Sequence, residues 1–262
     1  MKQNRLLTVK SAEKLNDTNI LLKLTDHELL PSIMPGQFVQ VKVENSPRTF
    51  LRRPISINFY DKENNELWLL VQMRGDGTRA LAKLQQGDHL EILFPLGNGF
   101  TPDIRSGEKV LLVGGGVGTA PLLLYGKYIK EHGGLPLFLL GGKSKTDILQ
   151  LEMFEQYGEV CCTTEDGSLG EKGFVTQHSI LGKADFSRIS VCGPKPMMQA
   201  VAKYASRLGI DCEVSLENMM ACGLGACLCC VEKTIRGNVC VCTEGPVFNI
   251  RQLTWFDDYE QA

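Results

Sequence analysis

Apolar and polar residues alternate through the first hundred positions. Val39, Val41 and Val43 are separated by Gln40 and Lys42, the period-2 pattern of a strand with one buried face. Leu67-Trp68-Leu69-Leu70-Val71 and Leu90-Glu91-Ile92-Leu93 are further strand candidates. Turn-forming residues punctuate them at Pro35-Gly36, Glu63-Asn64-Asn65 and Gln86-Gly87-Asp88. Short strands at this spacing predict a small barrel.

From about residue 104 the rhythm changes to strands alternating with helices, the mark of a doubly wound parallel sheet. Lys109-Val110-Leu111-Leu112-Val113 is a continuous apolar run, as a strand buried on both faces requires. Pro121 then opens a helical stretch that ends at Gly133-Gly134, proline at the start and glycine past the end. Leu135–Leu140 and Ile189–Cys192 are later strands of the same kind. Beyond residue 212 the chain turns cysteine-rich. The pattern predicts a multi-domain β plus α/β protein: an antiparallel β-barrel over residues 1–101, a doubly wound parallel-sheet α/β domain over 102–212 and a small cysteine-rich domain over 213–262.

A chain of 262 residues with 43% hydrophobic content has enough apolar surface for these separate cores. Its net charge of −2, without a basic stripe or charge block, argues against nucleic acid or an anionic membrane as partner. The opening Met1-Lys2-Gln3-Asn4-Arg5 leads into no apolar signal core, and no run approaches ~18 apolar residues. A soluble cytoplasmic protein is expected. In that reducing compartment ten cysteines point to metal rather than to disulfides.

Six of the ten cysteines lie between Cys222 and Cys242. Cys222, Cys227 and Cys230 give C-x4-C-x2-C, the spacing of plant-type [2Fe–2S] ferredoxins, with a fourth ligand further on. Four thiolates balance the ferric charge, and the intervening glycines let backbone N–H groups approach the sulfurs. Structural zinc is the competing reading, although zinc knuckles usually pair two C-x2-C-like units. Cys229 competes with Cys230, and the x2 spacing favours Cys230. Physics alone leaves Cys240 and Cys242 equal.

Two loops upstream suit phosphates. Gly114-Gly115-Gly116-Val117-Gly118-Thr119-Ala120-Pro121 joins a buried strand to a helix N-terminus, the arrangement of a dinucleotide pyrophosphate site. It does not spell G-x-G-x-x-G, because Thr119 takes the third glycine's place. Gly75-Asp76-Gly77-Thr78 likewise opens a helix. In Arg52-Arg53-Pro54-Ile55-Ser56-Ile57, a guanidinium and a hydroxyl on a stiffened strand can clamp a diphosphate and hydrogen-bond a ring. Cys161-Cys162-Thr163-Thr164 leads into Glu165-Asp166-Gly167-Ser168, a polar loop suited to a ribose or nicotinamide edge. Cys192-Gly193-Pro194 opens another strand-to-helix turn. After the second strand Lys143 and Lys145 stand where an acidic residue would select NAD, so the residues alone lean towards NADP. His27, His89, His132 and His178 have no nucleophile or carboxylate motif beside them, so each reads as a surface or packing histidine rather than a catalytic base.

Together these motifs resemble the ferredoxin–NADP reductase superfamily. Arg53, Pro54, Ile55 and Ser56 match its flavin strand motif, although many members carry Tyr where Ile55 stands. Gly75, Gly77 and Thr78 match its glycine-led helix, and Pro35-Gly36-Gln37-Phe38 and Pro95-Leu96-Gly97-Asn98-Gly99-Phe100 match its barrel landmarks. The glycines running into Ala120-Pro121, and Cys192-Gly193-Pro194-Lys195-Pro196-Met197, match its nicotinamide signatures. The compact C-x4-C-x2-C-x11-C module further resembles the family of electron-transfer subunits of type B dihydroorotate dehydrogenase.

That resemblance implies three cofactors: FAD, a [2Fe–2S] cluster, and NAD as acceptor. It implies FAD and nicotinamide contacts at Arg53, Pro54, Ile55, Ser56, Leu70, Val71, Gln72, Gly77, Thr78, Gly115, Gly116, Gly118, Thr119, Cys192, Gly193 and Pro194, with no catalytic acid–base residue. It implies cluster ligation by Cys222, Cys227, Cys230 and Cys242. It also implies an FMN-containing catalytic partner that oxidises dihydroorotate for pyrimidine (UMP) synthesis, two of each chain forming a heterotetramer. Met219, Met220, Leu224 and Leu228 are candidates for that contact. The alternative within the superfamily is a gamma-type subunit of a hydrogenase or sulfide reductase. A zinc-stabilised flavin-binding or docking module is the alternative of another class.

Overall fold

A computed structural model describes residues 2–183 and 185–256. Strands β1 (Gln3–Lys14), β2 (Asn19–Thr25), β3 (Phe38–Val41), β4 (Arg53–Asp61) and β5 (Glu66–Gln72) are followed by the short helix α1 (Asp76–Leu81) and by β6 (His89–Leu96). The six strands close an antiparallel barrel in the order β1-β2-β5-β4-β3-β6. Closure leaves no open edge for another chain to pair with. Val39 and Val41 face the barrel core, as their alternation predicts, but the strand ends at Val41 and Val43 lies beyond it. Gln40, expected on a solvated face, is fully buried. The reason is tertiary: the cysteine-rich segment covers the outside of β3.

The second unit runs β7 (Lys109–Gly115), α2 (Ala120–Glu131), β8 (Leu135–Gly142), α3 (Leu151–Glu155), β9 (Glu159–Thr164), β10 (Glu171–Lys172), β11 (Arg188–Cys192), α4 (Lys195–Leu208) and β12 (Asp211–Ser215). These strands are parallel in the order β10-β9-β8-β7-β11-β12. Order reverses beside β7, so the loops after β7 and β11 open side by side, where α/β sheets hold ligands. Helix α2 lies close on β8, since a Cβ at Gly126 would sit 2.2 Å from the Phe138 ring. On its other side α2 packs against β4, and barrel and sheet residues share one buried cluster that includes Phe100, Leu122 and Phe138.

The last segment forms a hairpin of β13 (Val231–Thr234) and β14 (Gly237–Cys240), a turn of helix α5 (Val241–Glu244) and strand β15 (Val247–Asn249). β15 returns to the parallel sheet and pairs antiparallel with β12. A boundary at 212/213 therefore cuts through β12, and the chain of the third domain completes the sheet of the second. No helix among the described residues is long and apolar enough to cross a membrane.

Candidate functional site

Barrel, sheet and cysteine loop meet around one cavity of about 740 Å³. Arg53, Pro54, Ile55 and Ser56 of β4 line it, because the strand lies on the barrel wall that faces the gap. Leu70 and Gln72 of β5 line it too, while Val71 between them points into the barrel core and has only its backbone to offer a ligand. Gly77 and Thr78 close the barrel end. A Cβ at Gly77 would stand 3.1 Å from Nε of Arg53 and from the Thr49 methyl, so glycine there lets the turn lie against the guanidinium without crowding it. The Thr78 hydroxyl is spent on the turn itself, accepting from the N–H groups of Arg74 and Gly75 at 2.9 and 3.1 Å.

On the sheet side, Gly118 and Cys192 line the cavity. The two strand-end loops touch there: a Cβ at Gly118 would lie 2.5 Å from Cα of Gly193 and 2.6 Å from the Cys192 carbonyl oxygen. Gly115 is packed against Met197 and Pro194, whereas Gly116, at φ 56°, faces open space. Thr119 is buried and donates its hydroxyl proton to the Gly116 carbonyl at 3.0 Å, fixing the turn from inside. Burial pushes the Cys192 thiol up to about 12, so it stays neutral and apolar at the cavity wall. After β8, Asp147 accepts hydrogen bonds from the N–H and hydroxyl of Ser144, leaving Lys143 and Lys145 exposed. The polar Glu165–Ser168 loop is tied to this turn, since the Lys145 N–H donates to the Ser168 hydroxyl at 2.8 Å. It does not reach the cavity wall.

Sequence reasoning missed the third wall. Ser215, Leu216, Glu217, Asn218, Met219, Met220 and Cys229 all line the cavity. Cys229 is legible only as a competing cluster ligand and Met219 and Met220 only as partner contacts. Nothing local places any of the seven at this cavity, because they arrive there when β12 and β15 carry the cysteine loop to the barrel. Arg74, also on the wall, was missed as well, although a basic residue directly before the Gly75-Asp76-Gly77 turn is a signal that could have found it.

The cysteine loop is shaped by two positive-φ glycines, Gly223 (70°) and Gly225 (83°), and by Leu228 at 55°. Its turns aim N–H groups at sulfur. Leu224 N–H donates to Cys222 Sγ at 3.3 Å, Gly225 N–H to Cys242 Sγ at 3.1 Å, and Cys242 N–H to Cys230 Sγ at 3.4 Å. The Leu224 bond holds the Cys222 thiol down, to about 6. Burial pushes Cys242 up to about 12. Cys240 Sγ instead faces the Gly225 carbonyl at 3.9 Å. Cys230 and Cys242 are buried, whereas Cys227 and Cys229 are exposed. No three His, Cys, Asp or Glu side chains among the described residues converge as one metal ion demands. N–H groups aimed at cysteine sulfurs are the surroundings an iron–sulfur cluster needs, and the donor set fits it. Of the apolar residues proposed for a partner, Met219, Leu224 and Leu228 are exposed; Met220 is not, and packs towards the cavity.

Comparison with known proteins agrees with this geometry. Residues 217–254 match the family model of the iron–sulfur cluster binding domain of dihydroorotate dehydrogenase B, and residues 112–203 match the oxidoreductase NAD-binding domain. The dihydroorotate dehydrogenase B (NAD(+)) electron transfer subunit of Shouchella clausii is 39% identical over 96% of this chain and 98% of its own. That of Caldanaerobacter subterraneus is 43% identical over 82% of this chain and 84% of its own. Among solved structures, an NADH-dependent reduced ferredoxin-NADP oxidoreductase superposes with a TM-score of 0.85 at 27% identity, covering 98% of this chain and 92% of that one. On this identity across nearly its whole length, the chain belongs to the family of dihydroorotate dehydrogenase B (NAD(+)) electron transfer subunits.

Proposed function

We propose that the chain relays electrons from a catalytic partner subunit to NAD+, the partner oxidising dihydroorotate to orotate at its own FMN. The observation that carries the reading is the single cavity with walls from the flavin-type barrel, the nicotinamide-type sheet and the cysteine loop. When bound, the [2Fe–2S] cluster passes electrons singly, FAD collects two, and NAD+ takes them up as hydride. The protein supplies placement. Arg53, with the glycine turn at Gly77, holds the FAD diphosphate; Ser56 and the backbone around Leu70–Gln72 hold the flavin ring. Gly115, Gly116, Gly118 and Thr119 form the NAD pyrophosphate turn, and Cys192-Gly193-Pro194 borders the nicotinamide.

Cys222, Cys227, Cys230 and Cys242 hold the cluster. Cys242 is favoured over Cys240 because its sulfur accepts a backbone N–H, whereas that of Cys240 faces a carbonyl. The exposed Met219, Leu224 and Leu228 beside these ligands form the apolar face for the partner. Two copies of each chain assemble in the cytoplasm and serve UMP synthesis.

The test has two stages. Anaerobically purified chain should contain flavin, iron and acid-labile sulfide, with a reddish-brown absorption that bleaches with NADH. Colourless protein holding zinc would sink the reading. Co-expressed with a dihydroorotate-oxidising subunit, it should co-purify and support dihydroorotate-dependent NAD+ reduction. Such activity from the chain alone would refute the two-subunit model.

A further inference from the structure

Among the described residues, Gln40 alone buries both polar atoms of its side chain, Nε2 and Oε1, without a hydrogen-bond partner. A buried amide left unpaired is destabilising, so native proteins rarely keep one without a use. Strand alternation sets its direction. Val39 and Val41 point into the barrel, while Phe38 and Gln40 point outward, and Phe38 packs in one buried cluster with Cys230 and Cys242. The Gln40 side chain meets the cysteine loop at Gly223. A Cβ at Gly223 would stand 2.7 Å from its Cγ and 3.1 Å from its Nε2, so glycine at 223 makes the room. Gly223 directly follows Cys222, whose sulfur already accepts the Leu224 N–H.

The amide thus stands at the cluster loop with a free donor and no acceptor among the protein atoms. We infer that Gln40 donates a hydrogen bond from Nε2 to a sulfur of the iron–sulfur cluster or of its ligand Cys222, and thereby raises the cluster's reduction potential. The inference rests on the iron–sulfur reading above. Its electrostatics are simple: a donor aimed at sulfur favours the reduced, more negative state. Gln40 also pairs across the ladder with Pro54, inside the Arg53–Ser56 motif, so one strand pair braces both redox sites.

The experiment is an anaerobic redox titration of the full chain, followed by electron paramagnetic resonance, for wild type and Gln40→Met, which keeps length and volume but not the donor. Losing a hydrogen bond to a charged acceptor should change the oxidised-to-reduced ratio about tenfold at a given potential, a fall of about 59 mV for a one-electron couple. The FAD potential should stay put. A change below about twofold overturns the inference. In parallel, wild type labelled with 15N at glutamine side chains should show nitrogen coupling to the reduced cluster in pulsed resonance spectra. Absence of that coupling overturns the inference even if Gln40→Met fails to load its cluster, and presence of it in wild type with loss in the variant supports it. Iron and sulfide content of wild type is read first. Without a cluster there, the iron–sulfur reading itself fails, and this inference with it.

Discussion

The Asn98 side-chain amide donates to the carbonyl oxygens of Thr243 and Glu244, both at 3.0 Å, and so ties the barrel to the residue that follows Cys242. The Asn98 N–H adds a bond to the Gly245 carbonyl at 2.6 Å. In Asn98→Ala the backbone bond survives and both side-chain bonds go, at a cost of about 1–2 kcal/mol. Flavin content should be unchanged, since the cavity walls on β4 and β5 do not depend on Asn98. Iron release to a chelator should be several-fold faster. Equal release rates in variant and wild type would show that the latch does not hold the cysteine loop.

Gly118→Ala tests the contact between the two strand-end loops. The new methyl would meet backbone, with Gly193 Cα at 2.5 Å and the Cys192 carbonyl oxygen at 2.6 Å, and backbone cannot rotate away. Overpacking of this kind costs about 1–3 kcal/mol and should spread the loops. NADH-dependent reduction of a dye should fall at least about tenfold while bound flavin is kept. If activity persists unchanged, the loops are not the NADH site.

The fourth ligand can be separated from its neighbour by two substitutions. Cys242→Ser removes a fully buried sulfur that accepts the Gly225 N–H, and the visible absorption of the cluster should disappear. Cys240→Ser replaces a sulfur that faces a carbonyl, and should leave iron and sulfide content intact. Cys229→Ser, on the cavity wall, should also keep the cluster. The reverse outcome for Cys240 and Cys242 would reassign the ligand.

What the chain revealed beforehand was local chemistry. Arg53 to Ser56, Gly77, Gly118, Cys192 and the cysteine spacing are short-range patterns, and the structure gathers the residues that carry them at the cavity or the loop beside it. Gln40 shows where such reading stops. Its place in an alternating run predicts exposure, yet it is buried because a segment almost two hundred positions later lies over it. The same long-range step puts Glu217 to Met220 on the cavity and adds β12 and β15 to the sheet of a domain that the sequence pattern closes at residue 212. Periodicity reports which face of a strand is apolar; it carries no record of what later covers the other face.

Glu91 makes the barrel pH-sensitive. Its carboxylate accepts from Asn4 and Lys42, each at 3.0 Å, and from Arg52, which together hold it down from an ordinary 4.5 to about 2. A carboxyl depressed in the folded state adds stability above its unfolded value, and that share is lost as pH falls from about 4.5 towards 2. Partial exposure screens it to about 1 kcal/mol. Denaturant midpoints of wild type and Glu91→Gln should differ most above pH 5 and converge towards pH 2. A constant gap across that range would remove Glu91 as the cause.

Asn58 and Gln150 make a reciprocal amide pair between barrel and sheet. Asn58 Nδ2 donates to Gln150 Oε1 at 3.0 Å, and Gln150 Nε2 donates back to Asn58 Oδ1 at 3.1 Å. Asn58 Nδ2 also reaches the Ala120 carbonyl at 3.1 Å, at the start of α2. Asn58 is fully buried, and Gln150 holds a left-handed φ of 55° to present its amide. That conformation is strained for a residue with a Cβ, so the pair must outweigh the strain. Asn58→Ala leaves the Gln150 amide unpaired and should cost about 1–3 kcal/mol. Gln150→Gly loses the same bonds but relieves the backbone, and should cost less. In the double variant the two costs should fall short of adding, by about 0.5–3 kcal/mol, because the bonds can be lost only once. Strict additivity in denaturant unfolding would mean that the two amides do not couple the barrel to the sheet.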